Sequence, residues 1–381
     1  GSGEDVIEFV RLLAFYYGFA ACAPDTELLP WNAQFTPVDL PHDWQIRHAD
    51  DLYRDGTLFY RKYFFVTDVP GTRRMLWFGG AYMDTTVFVN GTEVGQWKYG
   101  YTSFWFDITD ALHEGQNEVL VRCNLRHPNS RWYSGAGLYR NVELWEAPDL
   151  HLMPDGLYVA AKEGDNGAWT VAVTAEAGSV TAASTGRTLT LHLTDDNGSL
   201  LGTAAIPADA WAALPSPDGW RTGKETAIYK ASHTFTLQDP ALWDLDAPSF
   251  YHITAELTGA DGVTDTLTTR FGCRTIEATP DCGLLVNHKR VLIKGVCIHH
   301  DFGCLGSAFE YSAAKRQLEI LKSMGVNSIR TGHTPPAPQF MDLADEMGIL
   351  MDVESFDCWR SGKNPYDYGR FFDEWQEKDV A

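Results

Sequence analysis

The hydrophobic pattern of this 381-residue chain changes once, near residue 283, and that change constrains the fold more than any other feature. Before it, short β-branched and aromatic runs are punctuated by Gly, Asn, Asp and Pro, with almost no helical period. After it, apolar strands alternate with amphipathic helices. "RVLIKGV" precedes "YSAAKRQLEILKSMG", "NSIRTG" precedes "APQFMDLADEMG", and "ILMDVES" precedes, past a polar loop, "YGRFFDEWQEKDV". Buried parallel strands joined by helices make a βαβ series, whose closed form, the (β/α)8 TIM barrel, needs eight units and roughly 250 residues. Residues 277–381 hold three such units, so they are expected to form the N-terminal part of a TIM barrel. That part is incomplete without the remainder of the barrel, which the same polypeptide is expected to supply.

The earlier region divides in two. Between residues 57 and 148 the segments "TLFYRKYFFV", "RRMLWFGGA", "TTVFVNGTEVG", "TSFWFDI" and "NEVLVRCNL" are strand-like, and Asn90-Gly91 suits a tight hairpin. An all-β jelly-roll sandwich is predicted over 1–148. From 149 to 276, "TLTLHLTDDNGSLLGTA" and "YHITAELTGADGVTDTLTTRFG" each give strand, turn and strand, which predicts an immunoglobulin-like β-sandwich. The segment Leu12 to Ala23 is uncharged, but Glu4, Asp5 and Glu8 precede it against a single Arg11. A signal peptide needs the opposite charge, and the run is too short to span a bilayer, so a buried first element is expected.

The net charge of -21 disfavours nucleic acid and anionic membrane surfaces, whose charges would be repelled. Seven cysteines, an odd number with no tight metal-ligand spacing, read as reduced thiols of a cytoplasmic protein with no metal site. Aromatic residues reach 13%, which suits wide sandwich cores and also the stacking of sugar rings.

In barrels of this kind chemistry sits where strands end. The first strand ends at His299, His300 and Asp301, the second at His333, and the third at Glu354, Asp357 and Trp359. A lone histidine is more often structural. Polar and aromatic groups at three successive strand ends indicate a shared pocket.

The stretches "LPHDWQI", "SRWYSGAGLYRNVELW", "PALWDLDAPSFY", "KGVCIHHDFG", "IRTGHTPPAPQFMDLADEMGIL" and "SFDCWRSGKNPYDYGRFFDEW" together resemble glycoside hydrolase family 2, the β-galactosidases, β-glucuronidases and β-mannosidases. The resemblance runs through nearly the whole chain in the family's domain order and makes the first domain a sugar-binding-like one. It implies a retaining mechanism with two glutamates on later barrel strands, the acid/base lying in an Asn-Glu pair. The only such dipeptide, Asn117-Glu118, falls in the jelly roll, so no catalytic residue is assigned and the chain alone is expected to lack both glutamates. His299 and His333 match positions that contact the sugar, Glu354 a pocket-supporting acid, and Asn129 a jelly-roll position reaching the barrel mouth. Asp301 and Trp359 complete the expected substrate-binding set. Departures from the family pattern are Gly332 in place of serine, Val353 before Glu354, and Asn129 in place of aspartate. The loop "HTPPAP" favours a β-galactosidase. The alternatives are a β-glucuronidase and a non-catalytic carbohydrate-binding fragment. A homo-oligomer without cofactor is expected.

Overall fold

The computed structural model describes residues 13–14, 18–24, 26–48, 50–67, 71–179, 186–214, 227–259 and 262–380. From Leu13 to Pro148 two antiparallel sheets face each other. The larger runs, edge to edge, through Thr36–Val38, Phe19–Cys22, Gly56–Val66, Gly115–Leu125, Thr85–Val89 and Thr92–Trp97. The smaller runs through Leu13–Ala14, Val142–Pro148, Thr72–Phe78 and Phe104–Asp107. Strand alternation buries Val119, Val121, Cys123 and Leu125 of one sheet in a single core with Leu76, Phe78, Phe104 and Phe106 of the other. The hairpin at Asn90-Gly91 forms with both residues at positive φ, 49° and 80°. Within the expected first element, Phe19 is buried, whereas residues 12 and 15–17 lie outside the described residues.

A second pair of four-stranded sheets follows. One contains His151–Glu163, Ala168–Ser179, Ala227–Gln238 and Ala212–Leu214, the other Leu200–Pro207, Thr188–Asp195, Tyr251–Gly259 and Gly262–Phe271. Trp169, Val171 and Val173 from the first meet Leu189, Leu191, Ile253 and Leu257 from the second in a separate core. Turn chemistry closes the hairpin after Asp195, whose carboxylate accepts from the backbone of Asn197 and Ser199.

The C-terminal region corrects one sequence expectation. "RVLIKGV" is not one strand. Lys289–Arg290 closes a small antiparallel sheet with Ile276–Thr279 and Gly283–Val286, and the first parallel strand is Gly295–Ile298. The apolar run misled because Leu292 and Ile293 are exposed while Asn327 holds the intervening backbone, its carbonyl accepting from Lys294 and its amide donating to Leu292. The parallel sheet then runs Gly295–Ile298, Ser328–Thr331, Leu350–Val353. Helices α1 (Tyr311–Ser323) and α2 (Pro338–Glu346) connect its strands, and α3 (Phe372–Val380) follows the last. Ala314, Leu318, Phe340, Leu343 and Ala344 seat α1 and α2 against Ile329 at helical spacing. Among the described residues no helix is long and apolar enough to cross a membrane.

Candidate active site

The three parallel strands end side by side, so their following residues converge. His333 Nδ1 lies 2.8 Å from Glu354 Oε2. An ionised carboxylate only accepts, whereas Arg330 Nη2, 3.0 Å from the same nitrogen, only donates, so Nδ1 is held between the two and Nε2 is left without a partner among the described residues. Arg330 donates to Glu354 through Nε at 3.0 Å and Nη2 at 2.5 Å. Partial burial pushes the Glu354 carboxyl up, but the hydrogen bonds and charges of Arg330 and His333 outweigh it and hold it below the usual glutamate value. Glu354 is therefore a fixed negative charge between two donors.

From the first strand end, His299 donates through Nδ1 to the carbonyl of Gly332. This again leaves Nε2 facing outward from the backbone contact. Its ring stacks on Trp132 at 5.2 Å with planes 8° apart, and Trp132 also meets His333 at 5.4 Å. The two histidines are 5.8 Å apart, edge to face. Two imidazoles, an indole and a charged carboxylate thus share one rim, offering hydrogen-bond groups beside a flat apolar plate.

Other expected residues take different places. His300 turns away and donates through Nε2 to the Ser134 carbonyl at 2.8 Å; burial lowers its pKa to about 4, which makes it a neutral structural group. Asn129 is buried behind the rim. It accepts from Tyr82 Oη at 3.0 Å and Ser134 Oγ at 3.3 Å and donates to the Arg126 carbonyl at 2.7 Å. Asp301 follows the first strand end near Tyr133, whose phenol it helps to keep protonated behind the larger effects of burial and Asp43. Trp359 stands on the third loop with its ring 6.1 Å from Phe356 and 5.5 Å from Phe372, and it is largely exposed. Asp357 is held by Arg131 at 2.5 Å and Lys363 at 2.8 Å.

Two residues of this arrangement escaped the sequence reading. Trp132 belongs to the jelly roll and reaches the site only through the tertiary fold, so periodicity carried no signal for it. Arg330 did carry one: a cation in the middle of an otherwise buried parallel strand demands a carboxylate partner.

The jelly-roll loop is locked into the rim by Asp43, which is 3% exposed. Its Oδ1 accepts from the backbone of Gln45 at 2.9 Å and Ala136 at 3.1 Å. Its Oδ2 accepts from Tyr133 Oη at 2.6 Å and from the backbone and hydroxyl of Ser307 at 2.8 and 3.1 Å. Gly135 allows this approach: it has φ 68°, and a Cβ there would meet Ser307 Oγ at 1.9 Å. One carboxylate therefore joins two domains beneath the site.

Family profiles match in the same order as the three sheet systems. Residues 31–148 match the sugar binding domain of glycosyl hydrolases family 2, 155–274 match glycosyl hydrolases family 2, and 278–370 match that family's TIM barrel domain. The chain belongs to glycosyl hydrolases family 2. A β-galactosidase of Bacteroides ovatus is 36% identical over 356 residues, covering 90% of this chain and 40% of that protein. A β-glucuronidase of Bacteroides fragilis is 27% identical, covering 93% of this chain and 52% of that protein. A crystal structure of a family 2 member from Bacteroides cellulosilyticus superposes with a TM-score of 0.87 at 28% identity, over 97% of this chain and 49% of that one. The family 2 chain described here thus spans about half or less of the length of these relatives.

Proposed function

We propose that this family 2 chain supplies the N-terminal half of a retaining exo-β-glycosidase and that a terminal β-galactoside is its substrate. The observation that carries the reading is the convergence of His299, His333, Glu354 and Trp132 at adjacent strand ends. Imidazole nitrogens and an ionised carboxylate suit sugar hydroxyls, and an indole plate suits the apolar face of a pyranose. The reading assigns Asn129, Asp301 and Trp359 to the same site, Asn129 as support behind the rim. Residues 1–148, 149–276 and 277–381 act in this reading as sugar-binding-like jelly roll, immunoglobulin-like sandwich and first three units of a TIM barrel. The nucleophile and acid/base are proposed to come from later barrel strands.

A neutral sugar is favoured because Arg330 and Arg131, the cations beside the site, already pair with Glu354 and Asp357. A uronic acid would need a cation of its own. The 36% identity to a β-galactosidase points the same way. Nitrophenyl β-galactoside, β-glucuronide and β-mannoside hydrolysis by the full-length protein tests this. Preferential galactoside turnover is expected; preferential glucuronide turnover would overturn the galactoside assignment, and no turnover of any would overturn the glycosidase reading.

A further inference from the structure

A groove of about 430 Å3 opens where the two sandwiches and the C-terminal region meet, and His299, His333, Glu354 and Trp132 do not line it. Its walls are the outer faces of two sheets. Along Phe104–Asp107 the neighbours Phe104 and Phe106 are buried, so alternation leaves Trp105 on the groove side. Along His151–Glu163, Leu157 enters the core and Tyr158 faces out, opposite Thr174 on the next strand. Pro335 and Pro336 line the groove between these walls, with Lys378 of α3 beside them.

Asp155 is the unusual member. It sits in a bulge, where the pairing register shifts between Leu152 and Leu157, with a left-handed backbone at φ 57°. Bulges re-aim side chains, and aspartate tolerates this conformation better than most residues. Its carboxylate has no hydrogen-bond or ion-pair partner among the described residues. It is accessible to solvent, yet surrounding protein raises its pKa by desolvation, a combination expected of a group inside a concavity.

A carboxylate with open acceptor sites, a lysine donor and two aromatic faces match vicinal hydroxyls and the C–H face of a sugar. A bound metal does not fit, because no cluster of three or more His, Cys, Asp or Glu among the described residues can hold one. The volume falls within the range of small-ligand sites, roughly 300–1,000 Å3. We propose that this groove is a second carbohydrate-binding site, separate from the candidate active site, taking a neutral oligosaccharide through Asp155, Tyr158 and Trp105. The choice of a sugar rests on the glycosidase reading above.

The test titrates the intact protein with lactose, cellotetraose and β-1,4-galactotetraose, by calorimetry and tryptophan fluorescence, alongside Asp155→Asn and Tyr158→Ala. Asparagine keeps the left-handed backbone, and Tyr158 is exposed, so both variants should fold. Binding of at least one probe is expected, weakened about tenfold in each variant, with unchanged turnover of a small nitrophenyl glycoside. Absence of binding at millimolar concentration, or equal affinity in both variants and the parent, would overturn the groove. If hydrolysis is absent but variant-sensitive binding persists, the glycosidase reading fails and the groove stands. Turnover with variant-insensitive binding gives the reverse.

Discussion

His333 differs from an ordinary loop histidine because its Nδ1 is held by Glu354 at 2.8 Å and Arg330 at 3.0 Å and its other nitrogen stays available. Removing the ring should therefore cost ligand and transition-state binding more than folding. In the full-length protein His333→Ala is expected to lower kcat/KM by about tenfold to hundredfold with little change in melting temperature. Normal catalytic efficiency with a lowered melting temperature would make it structural. His42 makes the opposite case. Burial, then the charge of Arg47, lowers its pKa to about 4, although Asp43 pulls the other way. The unfolded chain binds this proton near pH 6.5 and the folded chain only near 4, so this contribution to stability is present above 6.5 and lost as pH falls. His42→Gln should flatten the acid side of the stability profile, by at most about 3 kcal/mol. Denaturant titrations across that window, compared with the parent, check the slope. An unchanged slope would remove His42 as the cause. The site histidines were legible because strand ends are readable from periodicity. Their hydrogen-bond partners were not, since Gly332 and Glu354 reach them from other strands.

At the scale of elements, strand–helix alternation was legible wherever one face of a segment met one core. Both sandwiches followed from alternation, and α1 and α2 from apolar spacing at three and four residues. The first parallel strand was misplaced because periodicity cannot tell an apolar run that pairs from one that only crosses the surface. The described parallel sheet also has open edges, and Ile320 of α1 is 43% and Met324, just after it, 72% exposed. Large side chains left in water forgo about 1.5 to 3 kcal/mol each. Proteolysis of residues 1–381 alone should accordingly begin near residue 280 and spare the two sandwiches, each with its own core. Mass spectrometry of the fragments decides. Resistance of the C-terminal part in a monomeric sample would show that it needs nothing more.

Across the whole molecule, the domains are coupled by contacts at several places, among them Arg140 to the Pro335 carbonyl and Arg270 to Glu346. Asp43 accepts five hydrogen bonds from two domains, and Tyr99 donates to the Ser355 carbonyl at 2.7 Å. Trp243 donates to the Asp345 carbonyl at the end of α2. Asp43→Asn keeps the shape but turns an amide donor toward at least one backbone N–H, that of Ser307 or of Gln45 and Ala136, which only donates, a conflict of about 1–3 kcal/mol. A lower melting temperature and an altered near-ultraviolet dichroism of Trp132 are expected. An unchanged spectrum would show that the rim is set without this carboxylate. The placement of Asp43 also bears on how the molecule is made. Residues 43 and 129–136 leave the ribosome before Ser307 is synthesised, so the jelly roll can close and present a finished socket to the emerging barrel. The first barrel loop then docks onto a surface already in shape, and half of the site exists as a mould before the other half has been translated.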